Sequence, residues 1–188
     1  MSRFRDRRSV GALEFALLAP LLLLLFAATV DLVSWYLTWL RLDRTADQLC
    51  NIVTQASTLH AADFADPATH AGYFAVAQQL AGSMQVTGAA GATIVSGLVN
   101  DGTKTTIAWQ RRTGSVAYVS ALGAAGQSPA LPAGYAVPSG QTAIVTETFT
   151  GITLWVLSLH IMNSAGPTAL GAFAIYRPRS AELSSVQP

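Results

Sequence analysis

Residues Phe15 to Leu40 read FALLAPLLLLLFAATVDLVSWYLTWL, an apolar run interrupted by one acid, Asp31, and headed by another, Glu14. As a helix the run reaches roughly 39 Å, enough to cross a hydrocarbon core of about 30 Å. Arg3, Arg5, Arg7 and Arg8 precede it against the single acid Asp6, whereas Arg41 and Arg44 beyond it are balanced by Asp43 and Asp47. Basic flanks stay in the cytoplasm, so the N-terminus is expected inside and the chain from about residue 41 outside. Trp35, Tyr36 and Trp39 cluster at the far end, where amphipathic rings settle at headgroup level. Asp31 is expected either to reach that polar interface or to pair with a neighbouring subunit. A cleaved secretory signal is the rival reading. The length of the run, the poor cleavage site at Phe26-Ala27-Ala28 and the presence of Glu14 favour a permanent anchor. Pro20 lies inside the run, where membrane helices tolerate proline when the freed carbonyl finds another partner. Ala12, Ala16 and Ala19 form a small-residue stripe that suits close helix approach in lipid and equally suits an alanine-rich chain.

The chain beyond the anchor is long enough for about one small domain. Charged residues make up 11% of the sequence and the net charge is +1. With no basic cluster beyond Arg111-Arg112, nucleic acid is excluded as a partner. Cys50 is the only cysteine, so an intramolecular disulfide and a cysteine-based zinc site are both ruled out. It reads as a small buried hydrophobe on a helix face, with an intermolecular disulfide as the sharper alternative.

The stretch Arg7-Arg8-Ser9-Val10-Gly11-Ala12-Leu13-Glu14-Phe15-Ala16-Leu17-Leu18-Ala19-Pro20, followed by the leucine run, resembles the N-terminus of TadE/TadF-like minor pilins (pseudopilins) of tight-adherence pili. The likeness spans roughly residues 5 to 40. It implies an assembly role for Glu14, Phe15 and Pro20, with the glutamate attracting the free amine of a neighbouring subunit and setting axial register. It also implies a processing site within Ser9, Val10, Gly11 and Ala12. If Glu14 is the fifth mature residue, the cut follows Ser9, which stands where the family has glycine. If Gly11 precedes the cut, Glu14 becomes third. Without cleavage, Arg7 or Arg8 of a neighbour is the substitute partner. A carboxylate at membrane depth is costly and tends to pair or to mark function; the bland alternative leaves Glu14 at the headgroup boundary beside the arginines. The resemblance further implies other pilin or pseudopilin subunits, the inner-membrane pilus platform, a prepilin peptidase and the lipid bilayer as partners.

Past the membrane, Leu42, Ala46, Leu49, Ile52 or Val53, and Ala56 fall on one stripe, which predicts an amphipathic helix over 41–59 continuing the anchor. Asp66-Pro67 reads as a cap for a short second helix running to about Met84 and ending near Gly82. Strands are expected over 92–99 and 103–112, joined by a hairpin at Asn100-Asp101-Gly102. Further strands are expected over 116–122, 142–150 and 168–177, with a Gly- and Pro-rich loop over 123–140. Residues 152–161 extend the sheet or form a helical turn. In that segment Trp155, Leu157, Leu159 and Ile161 face either the core or a subunit interface. The polar end of the chain is expected to fray. The terminal strand closing on Arg177-Pro178-Arg179 adds to the likeness. The predicted fold is α+β: a long transmembrane helix continuing into an amphipathic helix packed on a small antiparallel sheet, as in pilins. Its parts are a cytoplasmic basic leader (1–11), the transmembrane helix (12–40), a periplasmic domain (41–180) and a flexible tail (181–188).

No catalytic set is legible. His60, His70 and His160 lack metal-ligand spacing, and Asp63 and Asp66 read as turn and cap residues. Phosphate-binding and nucleophile-elbow motifs are absent. Glu147, the single acid of its strand, is expected to face solvent, and Arg111-Arg112 to be solvated. The expectation is a non-catalytic subunit without cofactor or metal that primes or caps a tight-adherence pilus from the bacterial inner membrane. The alternative is a single-pass, membrane-anchored periplasmic ligand-binding or sensor protein.

Overall fold

The structure, a computed structural model, describes residues 3–64, 72–154, 168–179 and 182–188. Its first element is a single helix, α1, from Arg3 to Val53. Pro20 lies inside it without ending it. The chain divides into two compact units: residues 1–38 with 152–168, and residues 39–151 with 169–188.

In the first unit the helix presents its apolar side chains outward. Leu17, Leu21, Leu23, Leu25 and Phe26 are all more than half exposed. Asp31, expected at the polar interface or against a neighbouring subunit, is instead buried. The alternating stretch at Trp155–Ile161 lies outside the described residues.

The second unit is an α+β domain. Four strands, β1 (Gly91–Asn100), β2 (Thr105–Gly114), β3 (Thr142–Ile152) and β4 (Thr168–Tyr176), form one sheet in the order β2-β1-β3-β4. β1 pairs antiparallel with both β2 and β3, and a bulge at Gly97/Leu98 shifts the β1–β2 register. The hairpin between β1 and β2 turns where the sequence places it. Gly102 takes φ 96°, and the Asp101 carboxylate accepts from the backbone N–H groups of Thr103 (2.8 Å) and Lys104 (3.0 Å). The Thr103 hydroxyl, which also donates to that carboxylate (2.6 Å), and then the two backbone donors hold the Asp101 carboxyl down at about 2.

One face of the sheet receives the outer end of α1. Leu42, Thr45, Ala46, Leu49, Cys50 and Val53 are all buried, the 3-4 spacing of a helix laid on a surface. The Thr148 hydroxyl donates to the Leu42 carbonyl (3.2 Å), and the Cys50 thiol donates to the Ile144 carbonyl (3.2 Å). The helix stops at Val53, six residues before the predicted end. The Thr54 hydroxyl donates to the Asn51 carbonyl there, and a Ser57-Thr58 pair follows. Such side chains offer the backbone local partners that compete with helix. Beyond β4, Arg179 clips onto the polar side of α1, its backbone N–H donating to Thr54 O (3.1 Å) and its guanidinium to Asn51 Oδ1 (2.9 Å).

Several expectations need correction. The second helix, α2, is Tyr73–Ala81 with Gly72 at its N-cap and Gly82 at its C-cap, so it begins later than a cap at Asp66 requires; the Asp66-Pro67 pair itself is outside the described residues. The stretch over 116–122 is a strap of turns, not a strand. Side chains of the sheet take up its backbone groups: Arg112 donates to the carbonyls of Ser115 (2.7 Å) and Tyr118 (3.2 Å), and Glu147 accepts the Ala121 N–H (2.8 Å). The polar tail is tied down. The Trp109 indole N–H donates to Leu183 O (2.9 Å), Gln187 N–H donates to Leu59 O (2.8 Å), and Ala61 N–H donates to Gln187 O (2.8 Å). Leu183 is buried accordingly.

Candidate functional site

The candidate assembly surface lies on the first unit. Glu14 and Phe15 follow Ala12 and Leu13 on a fully helical backbone, and all four side chains are exposed. Pro20, 1.5 turns further on, cannot donate to the Ala16 carbonyl, so that oxygen lacks its helical partner. The candidate processing residues Ser9, Val10, Gly11 and Ala12 are all within α1. A side chain at Gly11 would meet nothing within 4 Å, so its lack of one does not serve packing in the single chain. What the helix brings together is therefore one carboxylate at the head of a continuous apolar surface. The helix is long and apolar enough to cross a membrane once.

Residues 10–49 match the family model described as TadE-like protein. The N-terminal segment is TadE-like. That match takes in the whole apolar run, with Glu14, Phe15 and Pro20, and reaches the first turns of α1 that pack on the sheet. It covers about a fifth of the chain, and the one exposed apolar helix of that length among the described residues suggests a single-pass anchor. No curated protein and no solved structure matches the chain.

The remaining sequence candidates separate cleanly. Cys50 is fully buried, and burial pushes its thiol up to about 12 against the pull of hydrogen bonds from its neighbours. It is the packed hydrophobe, since an intermolecular disulfide needs an accessible thiolate. His60 joins Gln187 in an isolated parallel bridge through its backbone, and His60 N–H donates to Asp63 Oδ2 (2.7 Å), the turn chemistry expected of that acid. His70 and His160 are outside the described residues. Among the described residues no group of three His, Cys, Asp or Glu could hold a metal ion. Arg112 is exposed but engaged with the strap, as above.

Glu147 overturns its expectation. It is 3% exposed, with the Ser120 hydroxyl donating to one oxygen (2.5 Å) and the Ala121 N–H to the other. Burial pushes its carboxyl above the usual range, and the two donors partly offset this. Nothing local in TAIVTETFT signals the burial, because the strap that covers Glu147 comes from about 26 residues upstream in the chain.

Proposed function

We propose that this chain is a minor pilin-like (pseudopilin) subunit that primes or caps a tight-adherence pilus. In this reading residues 12–40 anchor it in a bacterial inner membrane, with the N-terminus cytoplasmic and the α+β domain periplasmic. It acts without catalysis, cofactor or metal, through contacts with other pilin subunits and the membrane platform. The observation that carries the proposal is the placement of Glu14 at the head of an exposed apolar helix inside the TadE-like match. A carboxylate entering hydrocarbon needs a partner. The amine of a processed neighbour or the guanidinium of its Arg7 or Arg8 supplies one, and either pairing fixes how far one shaft slides along the next.

Glu14→Ala tests the role. The variant is expected to insert in the membrane at wild-type level and to leave cells without pili by electron microscopy. Normal piliation removes the assembly role of the acid. N-terminal sequencing of the membrane-extracted protein decides processing: a start at Val10 or Ala12 marks a cleaved leader, and an intact leader marks a permanent anchor.

A further inference from the structure

The face of the sheet turned away from α1 holds an ionisable group at its centre. Val145, Glu147 and Phe149 of β3 point to this face, which is covered by the 115–122 strap and the loop that follows it. Between strap, loop and β4 is a pocket of about 200 Å³. Buried Leu122, Val145 and Glu147 form its floor. Leu131 and Pro132 of the loop and Phe173 of β4 form its walls, and Phe173 is 52% exposed at the rim.

This is an apolar pocket with one polar feature, and that feature is under-used. A carboxylate has about four acceptor positions, and the strap fills two. No cation is among the groups acting on Glu147 in the described structure. A desolvated acid without a counter-charge gains most from a donor that brings positive charge, because charge-assisted hydrogen bonds are the strong ones. The apolar walls ask for methylenes behind that charge. An ammonium brings three donors on a slim shaft. A guanidinium brings five in a rigid fork, more than one twice-bonded carboxylate can satisfy.

We propose that this pocket is a binding site for an alkylammonium group, supplied by a lysine side chain of a partner protein. The surroundings favour a protein source. Val116 and Val119 of the strap are 81% and 74% exposed and, with Phe173, give the covered face an apolar surround. Apolar side chains exposed around a polar anchor are the arrangement of a protein contact. The site is independent of Glu14 and of the pilus reading.

The test uses full-length ¹⁵N-labelled protein in detergent micelles, titrated with n-butylammonium and followed at the Ala121 amide, which reports on Glu147 directly. Butylammonium is expected to give a saturable shift and n-butanol, its neutral counterpart, none. Glu147→Gln is expected to weaken butylammonium about tenfold or more. Equal effects of butanol and butylammonium, or no saturation by either, overturn the site. Because both of those outcomes are read on the wild type, the test survives a Gln variant that fails to fold. Nα-acetyl-lysine methylamide distinguishes the source. Binding at least as tight as butylammonium supports a lysine side chain, and exclusion of the capped lysine while butylammonium binds overturns the protein source in favour of a free amine.

Discussion

Gly97 offers the sharpest test of how the sheet domain is held together. It lies in β1 directly opposite Trp109 of β2, at the bulge, and a Cβ built on it would overlap the indole ring at Nε1 and Cε2. The ring has little freedom to yield. It is 7% exposed, its centroid is 5.7 Å from that of Phe64, and its N–H is committed to Leu183 O. Gly97→Ala must therefore displace the indole, costing about 1–3 kcal/mol in overpacking and about 0.5–1.5 kcal/mol for the lost hydrogen bond. Strand propensity opposes this, since alanine is favoured over glycine within a strand by roughly 0.5–1 kcal/mol. These terms leave a net loss of about 0.5–4 kcal/mol, centred near 2, which lowers the melting temperature of a domain this size by roughly 8 °C at the centre of that range. The assays are near-UV circular dichroism on full-length protein in detergent and hydrogen exchange at the Ala61 and Gln187 amides. Those amides lose protection first if the indole is what holds the tail. A second substitution, Trp109→Leu, is expected to cancel most of the effect of Gly97→Ala, because the two residues compete for one space. A Gly97→Ala protein that melts within about 2 °C of wild type, with unchanged protection at both amides, refutes the argument.

Leu49→Ala removes a fully buried side chain where α1 packs on the sheet and is expected to cost about 2–5 kcal/mol, read as a shift of the denaturant midpoint. Cys50, at about 12, carries roughly a thousandth of the thiolate of a free thiol at pH 8. Maleimide is thus expected to label it only when the domain unfolds; fast labelling of folded protein contradicts its burial. Glu147 has a folded-state carboxyl raised above the ordinary value of 4.5. Below that value both states are protonated and it carries no penalty. As pH rises through the window between the two values the unfolded chain gives up its proton first, and stability falls, remaining lower above the window. Denaturation of wild type against Glu147→Gln from pH 4 to 8 is expected to show the wild type losing ground with rising pH; a flat difference argues against the desolvated acid.

What could be read from the residues alone follows the range of the interactions. The strands β1 and β3 announce themselves because β-branched runs and their bounding turn residues are local signals. The hairpin is legible because Asp101 and Gly102 satisfy the turn within four residues. The stripe Leu42, Ala46, Leu49 needs only the 3.6-residue period. The failures come from partners far away in sequence. Val116, Tyr118 and their neighbours alternate as a strand would. In the fold Tyr118 stacks on Phe149, with centroids 5.6 Å apart, and Arg112 and Glu147 take the backbone groups a ladder would have used. The edge of β2 that might have received the segment is occupied instead by Gly126 and Gln127, which exchange hydrogen bonds with Ile107. The tail reads as polar and loose until Trp109 and Leu59, each over 70 residues away, supply its partners. For the candidate assembly site the balance is reversed. Glu14, Phe15 and Pro20 were found by pattern, and a single chain adds their exposure and their shared helix.

That exposure bears on what must surround the first unit. Leucine meets two fates along α1: Leu42 and Leu49 are fully buried, whereas Leu17, Leu21, Leu23 and Leu25 stand more than half exposed on the same helix. Sequence propensity does not separate them, since leucine is equally helix-forming at both ends. The difference is the medium each half is built for. A soluble monomer rarely exposes a contiguous apolar patch beyond a few hundred Å², so the outward leucines require lipid or neighbouring helices. Lipid alone satisfies the leucines, and it satisfies the acid at their head only where Glu14 stays at the headgroup boundary, because hydrocarbon offers a carboxylate no partner. In the proposed reading neighbouring helices would satisfy both, the leucines by packing and Glu14 by a basic group from the next subunit. A sensor anchored singly would have needed only the first of these. The placement of Glu14 is thus what inclines the reading toward an assembling shaft.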